Sequence, residues 1–89
     1  MTDSIRLPDE LGRALSEHRK TLGLSKSALA EKAGKVREVI YRLEAGEDTT
    51  VSSLMAVLGA MGLAMRLERV GLPTAEEVSR RFQDDDDAP

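Results

Sequence analysis

The stretch "LSKSALAEKAGKVREVIYRLEAG", residues 24–46, sets two short helical patterns on either side of a glycine, with small residues where they would cross. Ser25 is placed to accept from the amides of a first turn, and Leu24 and Leu29 occupy the two positions of a hydrophobic staple. Ala28 stands where a capping box needs Glu or Gln, so the serine caps alone. Ala30 and Ala33 keep one side of this helix slim, and Gly34 supplies a left-handed stop after about two turns. The second pattern predicts a helix over about residues 36–45. It turns Val39, Ile40 and Leu43 inward, leaves Arg37, Glu38, Tyr41 and Arg42 on other faces, and closes at Gly46. Two short helices meeting at a glycine turn describe a helix-turn-helix.

Working outward, Pro8 followed by Asp9 and Glu10 predicts a helix start, with the acids at the positive end of the helix dipole. Leu11, Ala14, Leu15 and Leu22 share one face at helical spacing, and Gly23 ends that helix. After the polar "EDTT", Thr49 or Thr50 caps a fourth helix whose apolar set is Val51, Leu54, Val57, Leu58 and Met61, with Gly62 as its stop. The period then changes. In "LAMRLERV", residues 63–70, Leu63, Met65 and Leu67 alternate with Ala64, Arg66 and Glu68, the rhythm of a half-buried strand. One strand cannot satisfy its own backbone groups, so it is expected to pair with the same strand of a second copy about a two-fold axis. Beyond Gly71, Thr74 with Glu77 forms a capping box, and Val78 and Phe82 lie four apart, which predicts a short helix. The final "DDDDAP" has nothing to bury and is expected to be disordered.

The expected fold class is therefore all-α. It is a compact domain of four to five helices over residues 1–70, with a dimerisation strand at about 63–69 and a short helix and acidic tail over 71–89.

Composition narrows the functional classes. A chain of 89 residues allows one small domain with a thin core. It has no cysteine for a disulfide or thiolate site, and no apolar run near the roughly 20 residues that cross a bilayer, so no membrane role is expected. The N-terminus lacks a signal-peptide layout, and a cytoplasmic location is expected. Tyr41 and Phe82 are the only aromatic residues, too few for a single-strand stacking platform. His18 is the sole histidine, which leaves neither a metal set nor a base for a nucleophile; no metal, cofactor or enzymatic activity is expected. The methionines Met55, Met61 and Met65 sit at core or strand spacing, where packing is the expected role.

The formal charge of −3 conceals a segregation. Between Arg13 and Arg42 eight bases face three acids, while residues 84–87 are all aspartate. A basic face on an acidic chain is the consequence, with the aspartate run first of all a solvating tail. A tail that competes for the basic face, or orders on a basic partner, are the alternatives.

With these residues in place, residues 11 to about 67 resemble the Cro and lambda-repressor-like (XRE) family, whose members bind operator DNA as dimers. The segment "EDTTVSSLMAVLGAMGLAMRL", residues 47–67, is similar to the HipB-type antitoxins in its polar turn, capping threonine, apolar fourth helix and alternating strand. That resemblance implies a homodimer joined through Leu63, Met65 and Leu67, repression of its own operon, and a grip on a toxin, a HipA-type kinase. It also implies that Arg19 and Glu44 form a structural ion pair between helix one and the recognition helix. The N-terminal part of a recognition helix enters the major groove, so Arg37, Glu38 and Tyr41 are the candidates for base edges. Arg suits guanine and Glu accepts from cytosine. Lys26, Lys35 and Arg42 are the candidates for phosphate contacts.

Two departures from the family pattern stand out. Lys26 replaces the usual glutamine at the first motif position, and the turn carries Lys35 and Val36 where an apolar residue and a polar cap are usual. The expected function is a sequence-specific, nucleoid-associated DNA-binding repressor serving as the antitoxin of a toxin–antitoxin pair. A stand-alone XRE-family regulator without a toxin, such as a phage-type repressor or restriction controller, is the alternative. An interaction adaptor using the motif as a scaffold is a third.

Overall fold

A computed structural model describes residues 4–71. It contains four helices: α1 (Pro8–Thr21), α2 (Lys26–Ala33), α3 (Arg37–Glu44) and α4 (Val51–Ala60). Three of the four start where local chemistry favours it. Pro8 opens α1, and the Glu10 carboxylate accepts from the backbone amides of Arg6 at 2.8 Å and Leu7 at 3.0 Å. Ser25 Oγ accepts from the Ala28 amide at 3.0 Å, and Thr50 Oγ1 from the Ser53 amide at 3.1 Å. Thr50, not Thr49, is thus the cap of α4. Val36 precedes α3 and offers no side-chain acceptor, so the first amides of that helix have no side-chain cap.

The helices also end alike. At the motif turn the Lys35 amide reaches back to the Ala30 carbonyl at 2.9 Å, and the Gly34 amide reaches Glu31 at 3.1 Å. This closure needs a left-handed residue, which Gly34 supplies at φ 68°. The same backward bond recurs from Leu24 to Arg19, from Glu47 to Arg42 and from Leu63 to Leu58.

These tight turns bring α1 and α2 against α3, and α2 against α4. Leu29, Ile40 and Val57 are fully buried at the centre, with Leu15, Ala30, Leu43, Leu58 and Met61 around them. Leu11, Leu24, Val39, Leu54 and Leu63 pack on the periphery. Among the described residues the fold is all-α, with α2 and α3 forming the helix-turn-helix. Two expectations about α4 need correction. Val51 is 75% exposed and Met55 48% exposed, because the core covers only the inner stripe of α4 and these residues, four apart, share its outer one. Leu22 is likewise half-exposed, since α1 has already ended at Thr21.

Residues 63–70 are neither helical nor laddered within the single chain. Leu63 packs on the core, whereas Met65, Leu67 and Val70 are exposed, Leu67 at 90%. Glu68 accepts a hydrogen bond from the Ser4 hydroxyl. The helix expected near residues 74–82 and the aspartate run lie outside the described residues.

Gly12 is buried where α1 crosses the end of α3: a Cβ there would lie 2.5 Å from the Glu44 carbonyl oxygen and 2.6 Å from that of Leu43. In an open helix, replacing glycine by alanine stabilises by roughly 0.5–1 kcal/mol. Here backbone is the obstacle and cannot swing aside. Gly12→Ala is therefore expected to destabilise the fold by about 1–3 kcal/mol, read as a lower Tm in thermal unfolding; an unchanged or raised Tm overturns the close-approach argument.

Candidate nucleic-acid interface

The recognition surface rests on α3, an eight-residue helix too short to be stable alone. Its inner face is held by Ile40 and Leu43 in the core. Its C-terminal end is held by an ion pair. Arg19 donates from Nε to Glu44 Oε2 at 2.7 Å and from Nη2 to Glu44 Oε1 at 3.1 Å, a bidentate fork. The third guanidinium nitrogen donates to the Leu24 carbonyl at 2.9 Å. Both side chains are buried, and every bond keeps the charge compensated. The hydrogen bond to Glu44 raises the Arg19 pKa above its usual value, against the opposing effect of burial. One side chain thus joins α1, the α1–α2 turn and the end of α3.

With that face fixed, the outer face of α3 carries two exposed pairs at helical spacing. Arg37 Nη2 donates to the Tyr41 hydroxyl at 2.6 Å, and Arg42 Nη2 donates to Glu38 Oε1 at 3.0 Å. From α2, the Lys26 ammonium lies over the Tyr41 ring, 4.0 Å from its centroid, while the Arg37 guanidinium carbon is 5.1 Å from the same centroid. The Arg37 hydrogen bond holds the Tyr41 phenol below the usual tyrosine pKa; burial opposes this, and the positive charges of Arg37, Lys26 and Arg19 add to it.

The structure therefore brings Lys26, Arg37 and Tyr41 into one cluster, and Glu38 and Arg42 into another. Lys35 stands half-buried in the turn between α2 and α3. An exposed pair four residues apart is worth only about 0.3–0.5 kcal/mol, so Arg42 and Glu38 are readily separated by a phosphate or base. Arg37 and Tyr41 are four apart, a spacing visible in the sequence; the Lys26 contact crosses between helices and is not. His18 is half-buried and donates from Nε2 to the Met61 carbonyl at 3.2 Å. It pins α1 to the end of α4, at the root of the exposed segment 63–70. Among the described residues, no three His, Cys, Asp or Glu side chains come together to hold a metal ion.

A family model described as helix-turn-helix matches residues 15–67, more than half the chain. The chain belongs to this XRE-type helix-turn-helix family. No curated protein sequence is similar enough to match it. Solved structures of similar shape include a HipB–O4 20mer complex, with TM-score 0.73 and 27% identity over 79% of this chain and 100% of that one. A HipA–HipB–O2–O3 complex gives the same values. A HipB variant in complex with an O2 20mer gives TM-score 0.74 and 25% identity over 80% of this chain and 100% of that one. The chain is a DNA-binding helix-turn-helix regulator of HipB-like shape. No helix among its described residues is long and apolar enough to cross a membrane.

For this regulator, breaking the buried pair from one side should be costly. Glu44→Ala leaves the Arg19 charge without its partner and is expected to lose about 3 kcal/mol or more of stability in denaturant unfolding. Replacing both members together, Arg19→Met with Glu44→Leu, should recover much of that loss. A double variant as unstable as the sum of the singles contradicts this account of the site.

Proposed function

We propose that this regulator is a homodimeric transcriptional repressor that acts as the antitoxin of a type II toxin–antitoxin pair, holding its toxin by binding and not by a catalytic step. The observation that carries the reading is the outer face of α3. Arg37, Glu38, Tyr41 and Arg42 are exposed there on a helix whose opposite face and end are locked. The likeness to HipB structures, one of which includes HipA, supports a toxin partner of the HipA type. Binding to operator DNA would fit the chain to a cytoplasmic, nucleoid-associated role.

Two copies are needed to present two such helices to successive major-groove faces. Met65, Leu67 and Val70 are exposed apolar residues on an unladdered segment, which supports pairing of residues 63–69 between copies. In this reading Arg37, Glu38 and Tyr41 contact base edges, while Lys26, Lys35 and Arg42 neutralise phosphates and supply the salt-dependent share of affinity.

Fluorescence anisotropy on the protein's own promoter and on a random duplex tests the DNA role. Arg37→Ala is expected to lose about 1–3 kcal/mol on the preferred site and far less on random DNA. Equal losses on both refute base reading by Arg37. Met65→Pro removes a ladder donor and is expected to yield a monomer in sedimentation; a variant that stays dimeric overturns strand pairing. Co-expression with the product of the adjacent reading frame tests the toxin, expected to be kinase-like and to co-purify in fixed stoichiometry.

A further inference from the structure

The contact between Lys26 and Tyr41 does not fit a lysine whose task is to grip the DNA backbone. A phosphate-binding lysine on a helix start would extend freely into solvent, as a hydrated point charge on a flexible stem. Lys26 is instead half-buried, with its ammonium 4.0 Å from the Tyr41 centroid. Arg37 comes to the same tyrosine from α3, bonded to its hydroxyl at 2.6 Å. Two like charges from two helices thus converge on one ring. The negative face of the aromatic quadrupole and the phenol oxygen offset their repulsion.

The chemistry of this cluster is one-sided. The ammonium of Lys26 and the remaining N–H groups of Arg37 are donors only. The Tyr41 oxygen already accepts from Arg37, which leaves its own proton to donate outward. In the major groove guanine presents two acceptors, N7 and O6, whereas adenine and cytosine each present an amino donor and thymine a single acceptor, O4, beside its methyl group. Glu38, on the same helix, accepts from Arg42 at 3.0 Å.

We propose that Lys26 is a specificity-determining residue, acting with Tyr41 and Arg37 as a single donor-rich reading head for a guanine. The proposal rests on the DNA-binding reading above and moves Lys26 from the phosphate contacts to the base contacts. Lys26 positions the ring, the ring positions Arg37, and the three lose their selectivity together.

Tyr41 is the only tyrosine and the chain has no tryptophan, so its absorbance titration reports this cluster in the full-length protein without DNA. Arg37→Ala, which removes the hydrogen bond, is expected to move the phenol titration furthest towards ordinary tyrosine, Lys26→Met to move it in the same direction by less, and Lys26→Arg to keep it near the wild-type position. On DNA, every base pair of one promoter half-site is substituted in turn. Lys26→Met should relax preference roughly tenfold at the same guanine that Arg37→Ala relaxes, with affinity for random duplex little changed. The double variant should be no less selective than either single, and Lys26→Arg should retain the preference.

A Tyr41 titration that moves in neither Lys26→Met nor Arg37→Ala overturns the cluster itself. A uniform loss on all sequences, with a salt slope smaller by about one, returns Lys26 to the phosphates and overturns the proposal. If the wild-type protein binds no duplex at low salt while the titration shift is present, the DNA-binding reading has failed, and base reading fails with it.

Discussion

Everything on the recognition surface depends on the direction in which α3 points, and the Arg19–Glu44 fork sets it. The hydrophobic contacts of Ile40 and Leu43 bury one face of the helix but are non-directional. A bidentate guanidinium–carboxylate bond has a plane and two fixed distances, so it restrains rotation and tilt at the C-terminal end. Its third arm, on the Leu24 carbonyl, ties that end to the turn before α2. A buried pair of this kind need not add net stability over a well-packed apolar pair. Its use here is geometric.

Gly12 belongs to the same constraint. The fork requires α1 to pass close over the last carbonyls of α3, and a side chain at residue 12 would hold the helices apart. Arg19 lies two turns further along α1, where the side chain spans the remaining gap. The His18 bond to Met61 acts one residue earlier and fixes the end of α4 against the same helix. The last turn of α1 therefore locates two surfaces at once, the outer face of α3 and the departure point of residues 63–70.

What the sequence made legible follows from which interactions are local. Helix starts at Pro8 and Ser25, and stops at Gly34 and its counterparts, are decided by bonds within a few residues, and those positions were readable; for α4 two adjacent threonines, Thr49 and Thr50, offered the same cap. The buried set of α3 followed from its period. The outer stripe of α4 did not, because periodicity shows which residues share a face but not how wide a face the core covers. Val51 and Met55 fall beyond that width. Gly12 was illegible for a different reason: glycine inside a helical pattern registers as a weak helix former, and only the approach of another backbone explains it. The Lys26–Tyr41 contact is tertiary, joining residues fifteen positions apart through a turn whose angle the sequence does not state. The alternating segment was visible as a period of two, yet a single chain gives it no partner with which to form a ladder.

The two surfaces differ in how their strength responds to the solution. The α3 face offers exposed cations whose attraction to a polyanion weakens steeply as salt rises. The segment with Met65, Leu67 and Val70 offers apolar area, and salt does not screen its burial. Under the proposed pairing, a rise in ionic strength releases DNA first and leaves two copies joined. The converse order would require the charged face to outlast the apolar one, which the physics of screening does not allow at equal starting strength. A regulator built this way keeps its spacing between recognition helices through each cycle of release and rebinding, because what sets the spacing is insensitive to what governs the release.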